Sequence, residues 1–201
     1  MSSLMNLLLN RVSVHQFSPD TLNEADIRQL LAAAVLAPSA YHLQNWHFTV
    51  VRSTEAKQQL QAAAYGQEKI SQAAAVFVIS GDLQGYRTLG DKLAPVVAAG
   101  QLPAATAHTW ETAAFDAFHL QPQAQRDEAI RSASLAAMPL MLAAQEAGWA
   151  SCPMSGFDAD AVRKVCALED HFLPVLLIAV GRNRQPEQQQ KLRLPPQYAL
   201  M

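Results

Sequence analysis

Three short polar segments stand between apolar stretches and carry the side chains best suited to binding a ligand. They cover residues 11–17, 38–46 and 151–157. Exposed polar loops on a packed framework are the usual place for binding residues. Each segment also has a purely structural explanation, because a helix end, a helix stop or a turn before a helix would use the same residue types. The residues alone therefore leave binding and structure open as alternatives for each segment.

The sequence lacks the motifs of several common enzyme classes. It has no GxGxxG turn after a strand and no GxxxxGK loop, which argues against Rossmann and P-loop nucleotide sites. Met154-Ser155-Gly156 lacks the first glycine of a GxSxG nucleophile elbow. His42 and His47 have no cysteine or carboxylate at ligand spacing beside them, so surface or core positions explain them better than a zinc site. We therefore predict no metal site and no catalytic side chain among these motifs.

The elements that must position the three segments follow from the apolar periodicity. A first helix is predicted to end near Asn10, a second to begin at an Asn23 cap and stop at Pro38, and a third to begin at a Ser53 cap. Further helices are predicted over residues 123–147 and 158–166, and strands over residues 47–51, 75–80 and 175–180.

The rest of the pattern sets the fold class. Residues 82–120 are irregular, with helical fragments between glycines, and such an insertion often lies over an active site. Trp110, Phe115 and Phe118 could form one apolar face there. Pro139 lies inside the long helix, where we expect a kink. Few strands and many helices in irregular order predict an α+β fold in one domain spanning residues 1–201.

Composition excludes several partners. With 15 basic and 17 acidic residues, the chain has no overall field that would attract nucleic acid or an anionic membrane. Its two cysteines form no disulfide framework, and no signal or membrane-spanning segment is apparent, so we expect a reduced, cytoplasmic protein. Charged residues make up 16%, against about 25% in a typical domain. The apolar excess favours a subunit interface, although abundant alanine could also explain it.

Taken in order, the motifs resemble those of the FMN-dependent nitroreductase family. The likeness covers nearly the whole chain, and it implies a mostly antiparallel central sheet surrounded by helices, in a homodimer. His15, His42, Asn45 and Ser155 depart from the residues usual in the family. The matching segments are RVSVHQF from Arg11, PSAYHLQNWHF from Pro38, CPMSGF from Cys152, LPVLLIAVG from Leu173 and KLRLP from Lys191.

The resemblance implies where the phosphate of FMN is held. Arg11 and Arg193, with the Ser13 hydroxyl, match the family positions that grip phosphate, and Lys69 and Lys191 match helpers. A doubly charged phosphate favours the forked donors of arginine. His15 replaces a permanent cation, so the resemblance implies weaker phosphate binding at high pH.

The resemblance also implies how the flavin ring is held. The turn over residues 153–156 matches the one covering a ring face, with the Gly156 backbone N–H directed at flavin N5. Gln67 and Lys69 match a segment at the pyrimidine edge, and the 38–44 segment matches positions near the ribityl chain or ring. The predicted FMN-binding residues are Arg11, Val12, Ser13, His15, Pro38, Ser39, Ala40, His42, Gln44, Gln67, Lys69, Pro153, Met154, Ser155, Gly156, Lys191 and Arg193.

The implied activity is hydride transfer from NADH or NADPH, through FMN, to a nitroaromatic, a quinone or a related small acceptor. The implied order is ping-pong, and the implied assembly is a homodimer with FMN at the interface. Two alternatives remain open. One is a dehydrogenase, dehalogenase or flavin-processing enzyme on the same scaffold, and the other is a non-catalytic flavin-binding dimer.

Overall fold

An antiparallel sheet forms the centre of the fold. The computed structural model describes residues 4–185, 187 and 189–200, and within them four strands pair in the order β1-β2-β4-β3. The inner strands β2 and β4 are almost entirely apolar, so both of their faces can be covered by helices. The strands are Trp46–Val51 (β1), Ala75–Asp82 (β2), Ala150–Met154 (β3) and Phe172–Gly181 (β4).

The helices begin and end where the local sequence provides caps. Asn23 and Ser53 each accept a hydrogen bond from a backbone N–H three residues on, as the sequence predicts. Gly148, with a φ of 75°, follows the end of the longest helix. The helices of the described residues are Leu4–Asn10 (α1), Glu24–Ala34 (α2), Thr54–Ala63 (α3), Lys69–Gln72 (α4), Leu89–Ala98 (α5), Ala104–Phe118 (α6), Pro122–Glu146 (α7) and Ala159–Val165 (α8), with 3-10 turns at Ala40–His42 and Gly85–Thr88.

Two apolar layers cover the sheet, because successive side chains of a strand point to opposite faces. Val76 and Val78 of β2 belong to the cluster that includes residues of α3, α4 and α8. Phe77 and Ile79 belong to the opposite cluster, which includes residues of α2 and α7. A third, smaller cluster holds α5 and α6 together around Tyr86 and the 3-10 turns. This architecture confirms the α+β class with an antiparallel sheet surrounded by helices.

The structure differs from the sequence prediction at three places. Residues 151–154 were predicted as part of a loop, but they form β3. This strand lies at the sheet edge, where Pro153 can be accommodated without its missing N–H. The helix α2 ends at Ala34, before Pro38. The irregular 82–120 region contains two helices, α5 and α6.

The long helix is continuous, and the apolar face predicted in the 82–120 region is only partly buried. α7 continues through Pro139 over its whole length of 25 residues. Phe118 is buried and Trp110 packs against the same cluster, whereas Phe115 keeps 46% of its surface exposed. Phe115, the third residue of the predicted apolar face, is therefore less fully packed than the other two.

Gly81 is expected to be indispensable for the close approach of β2 and α7. A Cβ at this position would lie 2.6 Å from the Ala129 Cβ, with backbone atoms of Ala129 equally near. Gly81→Ala should therefore destabilise the fold by about 2 kcal/mol through overpacking. The urea midpoint measures this, and Gly90→Ala is the control, because its Cβ would meet only the flexible Glu111 side chain at 3.4 Å. Equal midpoints for the two variants would contradict the packing argument.

Candidate functional site

The first and third polar segments are brought together by backbone pairing. Ser13 forms an isolated parallel bridge with Ser151 of β3, and the Val14 N–H donates to the Ser151 carbonyl at 3.1 Å. Val14 and Phe17 are buried and fix the segment to the sheet. The segment therefore extends the sheet edge, and Arg11 lies directly before this anchored stretch.

The C-terminal tail returns to the same place. The Gln190 Nε2 donates to the backbone carbonyls of Leu8 and Arg11, at 3.0 Å each. Residues 11–13 and 189–191 thereby face each other across a small cavity of about 100 Å³. The cavity is lined by Arg11, Val12, Ser13, His15, Gln189, Gln190, Lys191 and Arg193.

Positive charge accumulates at this cavity, and none of the described residues that line it is a carboxylate. Burial lowers the pKa of the Arg11 guanidinium, and the charge of Arg193 lowers it further, while Cys152 acts in the opposite direction. The Arg11 Nη1 is buried and has no hydrogen-bond partner among the described residues. A buried, unpartnered N–H of a cation is costly unless an acceptor completes it. The cavity therefore has the donor set of an anion site.

Lys69 joins the same cluster through Cys152. A hydrogen bond and charge from Lys69, together with the charge of Arg11, oppose the effect of burial, which raises the pKa of the Cys152 thiol. Cys152 is itself buried. Lys69 and Arg11 are thus both within electrostatic reach of Cys152, and Arg193 is within electrostatic reach of Arg11.

The turn after β3 forms the second part of the site. The Gln67 Nε2 donates to the Gly156 carbonyl at 2.8 Å, and the Asp158 N–H donates to the Ala63 carbonyl at 2.9 Å. Ser155 and Gly156 are exposed, whereas Met154 is buried and Pro153 is half-buried. The turn is thus held against the end of α3 with the Gly156 backbone open to a ligand.

The 38–44 segment has an unusual backbone. Tyr41, His42 and Gln44 have φ values of 52°, 59° and 43°, which side chains other than glycine rarely adopt. Each such residue costs about 1–3 kcal/mol and persists only where its surroundings enforce it. The Ser39 Oγ accepts from the Gln44 N–H at 2.9 Å, and the Lys92 Nζ donates to the Leu43 carbonyl at 2.7 Å.

This strained segment stands apart from the anion cavity. Pro38, Ala40 and His42 are exposed, and the Gln44 Nε2 lies 2.7 Å from the His42 Nε2. No hydrogen bond, ion pair or ring contact recorded between described residues joins the 38–44 segment to Arg11 or Gly156. The structure therefore brings together the predicted site residues of the chain's two ends, of residues 67–69 and of residues 153–156, and leaves Pro38, Ser39, Ala40, His42 and Gln44 separate.

Sequence reasoning missed three residues of the site. Gln189 and Gln190 line the cavity, and Gln190 fixes the tail, but both lie in a glutamine-rich run with no distinguishing pattern. Cys152 is the third. Its position directly before Pro153, in a matching motif, is a signal in the sequence that its side chain lies beside the site.

Comparison with known proteins decides the family. The model of the nitroreductase family matches residues 8–182. The chain belongs to the nitroreductase family. MhqN of Bacillus subtilis (strain 168), described as a candidate NAD(P)H nitroreductase, is 34% identical over 186 residues, covering 92% of this chain and 90% of MhqN. An NADH dehydrogenase of Thermus thermophilus is 32% identical, covering 86% of this chain and 83% of that protein.

A solved structure of this nitroreductase fold carries the expected cofactor. The protein of Exiguobacterium sibiricum in complex with FMN superposes with a TM-score of 0.89 at 25% identity, covering 97% of this chain and 94% of that one. Membership of the nitroreductase family confirms the predicted oxidoreductase class with FMN as cofactor and NAD(P)H as co-substrate. The cavity around Arg11 fits the phosphate of FMN, because among the described residues its buried guanidinium N–H has no acceptor and its lining has no carboxylate.

The part of the chain that the structure describes contains no group of three or more histidine, cysteine, aspartate or glutamate residues placed to hold a metal ion. None of the helices there is long and apolar enough to cross a membrane.

Proposed function

We propose that this nitroreductase-family chain transfers hydride from NADH or NADPH, through FMN, to a small oxidised acceptor such as a nitroaromatic or a quinone. The observation that carries the proposal is the cavity lined by Arg11, Lys191 and Arg193, with a buried Arg11 N–H that has no partner among the described residues. Such a cluster suits a phosphate of charge near −2.

The phosphate end of the proposed site is assigned to the residues around the cavity. The Arg11 and Arg193 guanidinium groups would grip the phosphate oxygens, with Ser13, Lys69 and Lys191 as further donors. Val12 and His15 line the same wall. The two ends of the chain thus supply one binding surface, and Gln190 keeps them together by bonding to the Arg11 carbonyl.

The ring end of the proposed site is assigned to residues 153–156 and Gln67. FMN supplies N5, an atom that accepts and returns hydride. The Gly156 N–H would donate to the ring edge at that atom, while Gln67 holds the Gly156 carbonyl and so fixes the direction of the turn. Because Ser155 and Gly156 are exposed, one face stays open, and NAD(P)H and the acceptor would occupy it in turn, in a ping-pong order.

We further propose that the site is completed by a second copy of the chain. Among the described residues, no hydrogen bond, ion pair or ring contact joins the 38–44 segment to Arg11 or Gly156, yet its backbone is held in a strained form. Large apolar side chains on several elements are exposed, which is typical of a surface that a subunit covers. They include Leu4, Met5, Leu9, Leu36 and Leu135. The segment would then reach the flavin bound mainly by the partner.

An absorbance spectrum of the purified protein before and after anaerobic NADPH tests the proposed activity. We expect two flavin bands that bleach on reduction and return when a nitroaromatic or quinone is added. Bands that NADPH and NADH leave unchanged would support a non-catalytic flavin protein. Bleached bands that none of these acceptors restores would support another flavin enzyme on the same scaffold. A colourless protein that does not bind added FMN would overturn the proposal.

A further inference from the structure

A second cavity lies away from the anion site, between the 3-10 turn Gly85–Thr88 and the helices α5 and α6. We call it the α5–α6 cleft. Its volume of about 560 Å³ falls in the range of small-molecule sites. Its lining includes Tyr86, Arg87, His108, Glu111, Phe115 and His119. None of these residues belongs to the proposed FMN site, so the α5–α6 cleft is a separate candidate binding site.

One wall of the α5–α6 cleft is aromatic. Phe115 stacks on His119 with ring centroids 4.4 Å apart and planes 16° from parallel, and Tyr86 meets Phe115 edge-on at 6.0 Å. Phe115 keeps 46% of its surface exposed, although it lines a cavity. The His119 Nδ1 is buried without a partner among the described residues. An open aromatic face of this kind is suited to stacking a flat ring.

The α5–α6 cleft also contains the guanidinium group of Arg87, which has unused hydrogen-bond donors. The Arg87 Nε donates to the Tyr86 hydroxyl at 3.3 Å, and its Cζ lies 5.7 Å from the Tyr86 ring centroid. These contacts orient Arg87 but leave the terminal N–H groups without a recorded acceptor in the described part of the chain. Glu111 lines the cleft too, but the two side chains form no ion pair there. A carboxylate is the acceptor that matches the free fork of Arg87.

We infer that the α5–α6 cleft binds an aromatic carboxylate, with its ring stacked on Phe115 and its carboxylate paired with Arg87. Glu111 then opposes such a ligand by charge repulsion and limits its affinity. A series of packed aromatic rings connects the cleft to the strained 38–44 segment. The ring centroid of Phe118 lies 6.4 Å from that of Tyr41 and 6.2 Å from that of Tyr86. The bound acid would thus lie beside the element that carries His42 and Gln44.

Isothermal titration calorimetry on the oxidised holoenzyme, without NAD(P)H, tests the inference with two probes of the same shape. Naphthalene-2-carboxylate carries the charge, and naphthalene-2-carboxamide does not. We expect the carboxylate to bind more tightly. Arg87→Gln should lower the affinity for the carboxylate about tenfold and change the affinity for the carboxamide less than about twofold. Only the charged ligand pairs with the two donors of the guanidinium group. Arg126→Gln, an exposed arginine on α7 outside the cleft, is the matched control and should change neither.

Two further variants give effects that a general structural disturbance would not produce. Glu111→Gln should raise the affinity for the carboxylate about threefold, because a repelling charge is removed. This change is opposite in sign to that expected for Arg87→Gln. Phe115→Ala should lower the affinity for both probes, since both stack on the Phe115 ring. Binding of neither probe by the wild type, or equal changes for both probes in Arg87→Gln, would overturn the inference. Because the titration involves no reduction, its result is independent of whether NADPH bleaches the flavin.

Discussion

Arg11→Ala is expected to purify largely without FMN. The guanidinium is half-buried at the anion cavity, and its Nη1 lacks a partner within the described chain. Removing it would eliminate charge-assisted hydrogen bonds of about 1.5–3 kcal/mol each, so the dissociation constant of FMN should rise at least about 100-fold. The absorbance ratio of flavin to protein after purification and a fluorescence titration with FMN measure the loss.

One further variant distinguishes the paired donors of Arg11 from its positive charge, and a second serves as a control. Arg11→Lys keeps the positive charge but loses the paired donors, so its FMN affinity should fall between those of wild type and Arg11→Ala. Arg52→Ala removes an exposed arginine after β1 that does not line the anion cavity, and it should purify with the wild-type flavin content. The phosphate assignment is wrong if Arg11→Ala retains bound FMN at the wild-type level.

Gly156→Pro should bind FMN and yet reduce it about 100-fold more slowly. Proline removes the backbone N–H proposed to donate to N5, and the loss of one such donor typically costs a factor of about 100–1,000. The phosphate cavity is formed by other residues, so cofactor binding should largely remain. Rapid-mixing measurement of flavin reduction by NADPH, beside an FMN titration, gives both quantities.

Gly156→Ala is the matched control for the proline variant. An added Cβ would have only the Gln67 Nε2 within 4 Å, at an ordinary contact distance of 3.8 Å. Alanine keeps the N–H, so flavin reduction should stay within about threefold of wild type, near the small effect of an unstrained surface change. If alanine and proline slow the reaction equally, the N–H is not the group that matters.

Much of the framework was predictable because local physical chemistry determines it. The Asn23 and Ser53 caps satisfy N–H groups within their own helices, so a few neighbouring residues suffice to place them. The apolar run of β2 indicates burial on both faces without further information. The elements that were predicted wrongly depend on residues far away in the sequence. β3 contains Ser151 and Pro153, and it becomes a strand because β4 and the segment at Ser13 pair with it.

Ordered motifs allow candidate site residues to be predicted, whereas contacts that only the tertiary fold makes leave no such signal. The approach of Arg11 and Arg193 was expected from the family resemblance, and their electrostatic interaction agrees with it. The role of Gln190 was not predictable, because an amide among other glutamines carries no local signal. The aromatic wall of the α5–α6 cleft arises from helix packing in the 82–120 region, where the sequence pattern is irregular.

The hydrogen bond between Gln190 and the Arg11 carbonyl spans 179 positions of the chain. A ribosome must therefore have released residues 190–193 before the pocket can be assembled. Under the proposed assignment, free FMN would stabilise only chains whose synthesis has passed that point. Since a ligand that binds only the native state shifts the folding equilibrium by mass action, cellular flavin supply would set how much of the finished protein survives proteolysis.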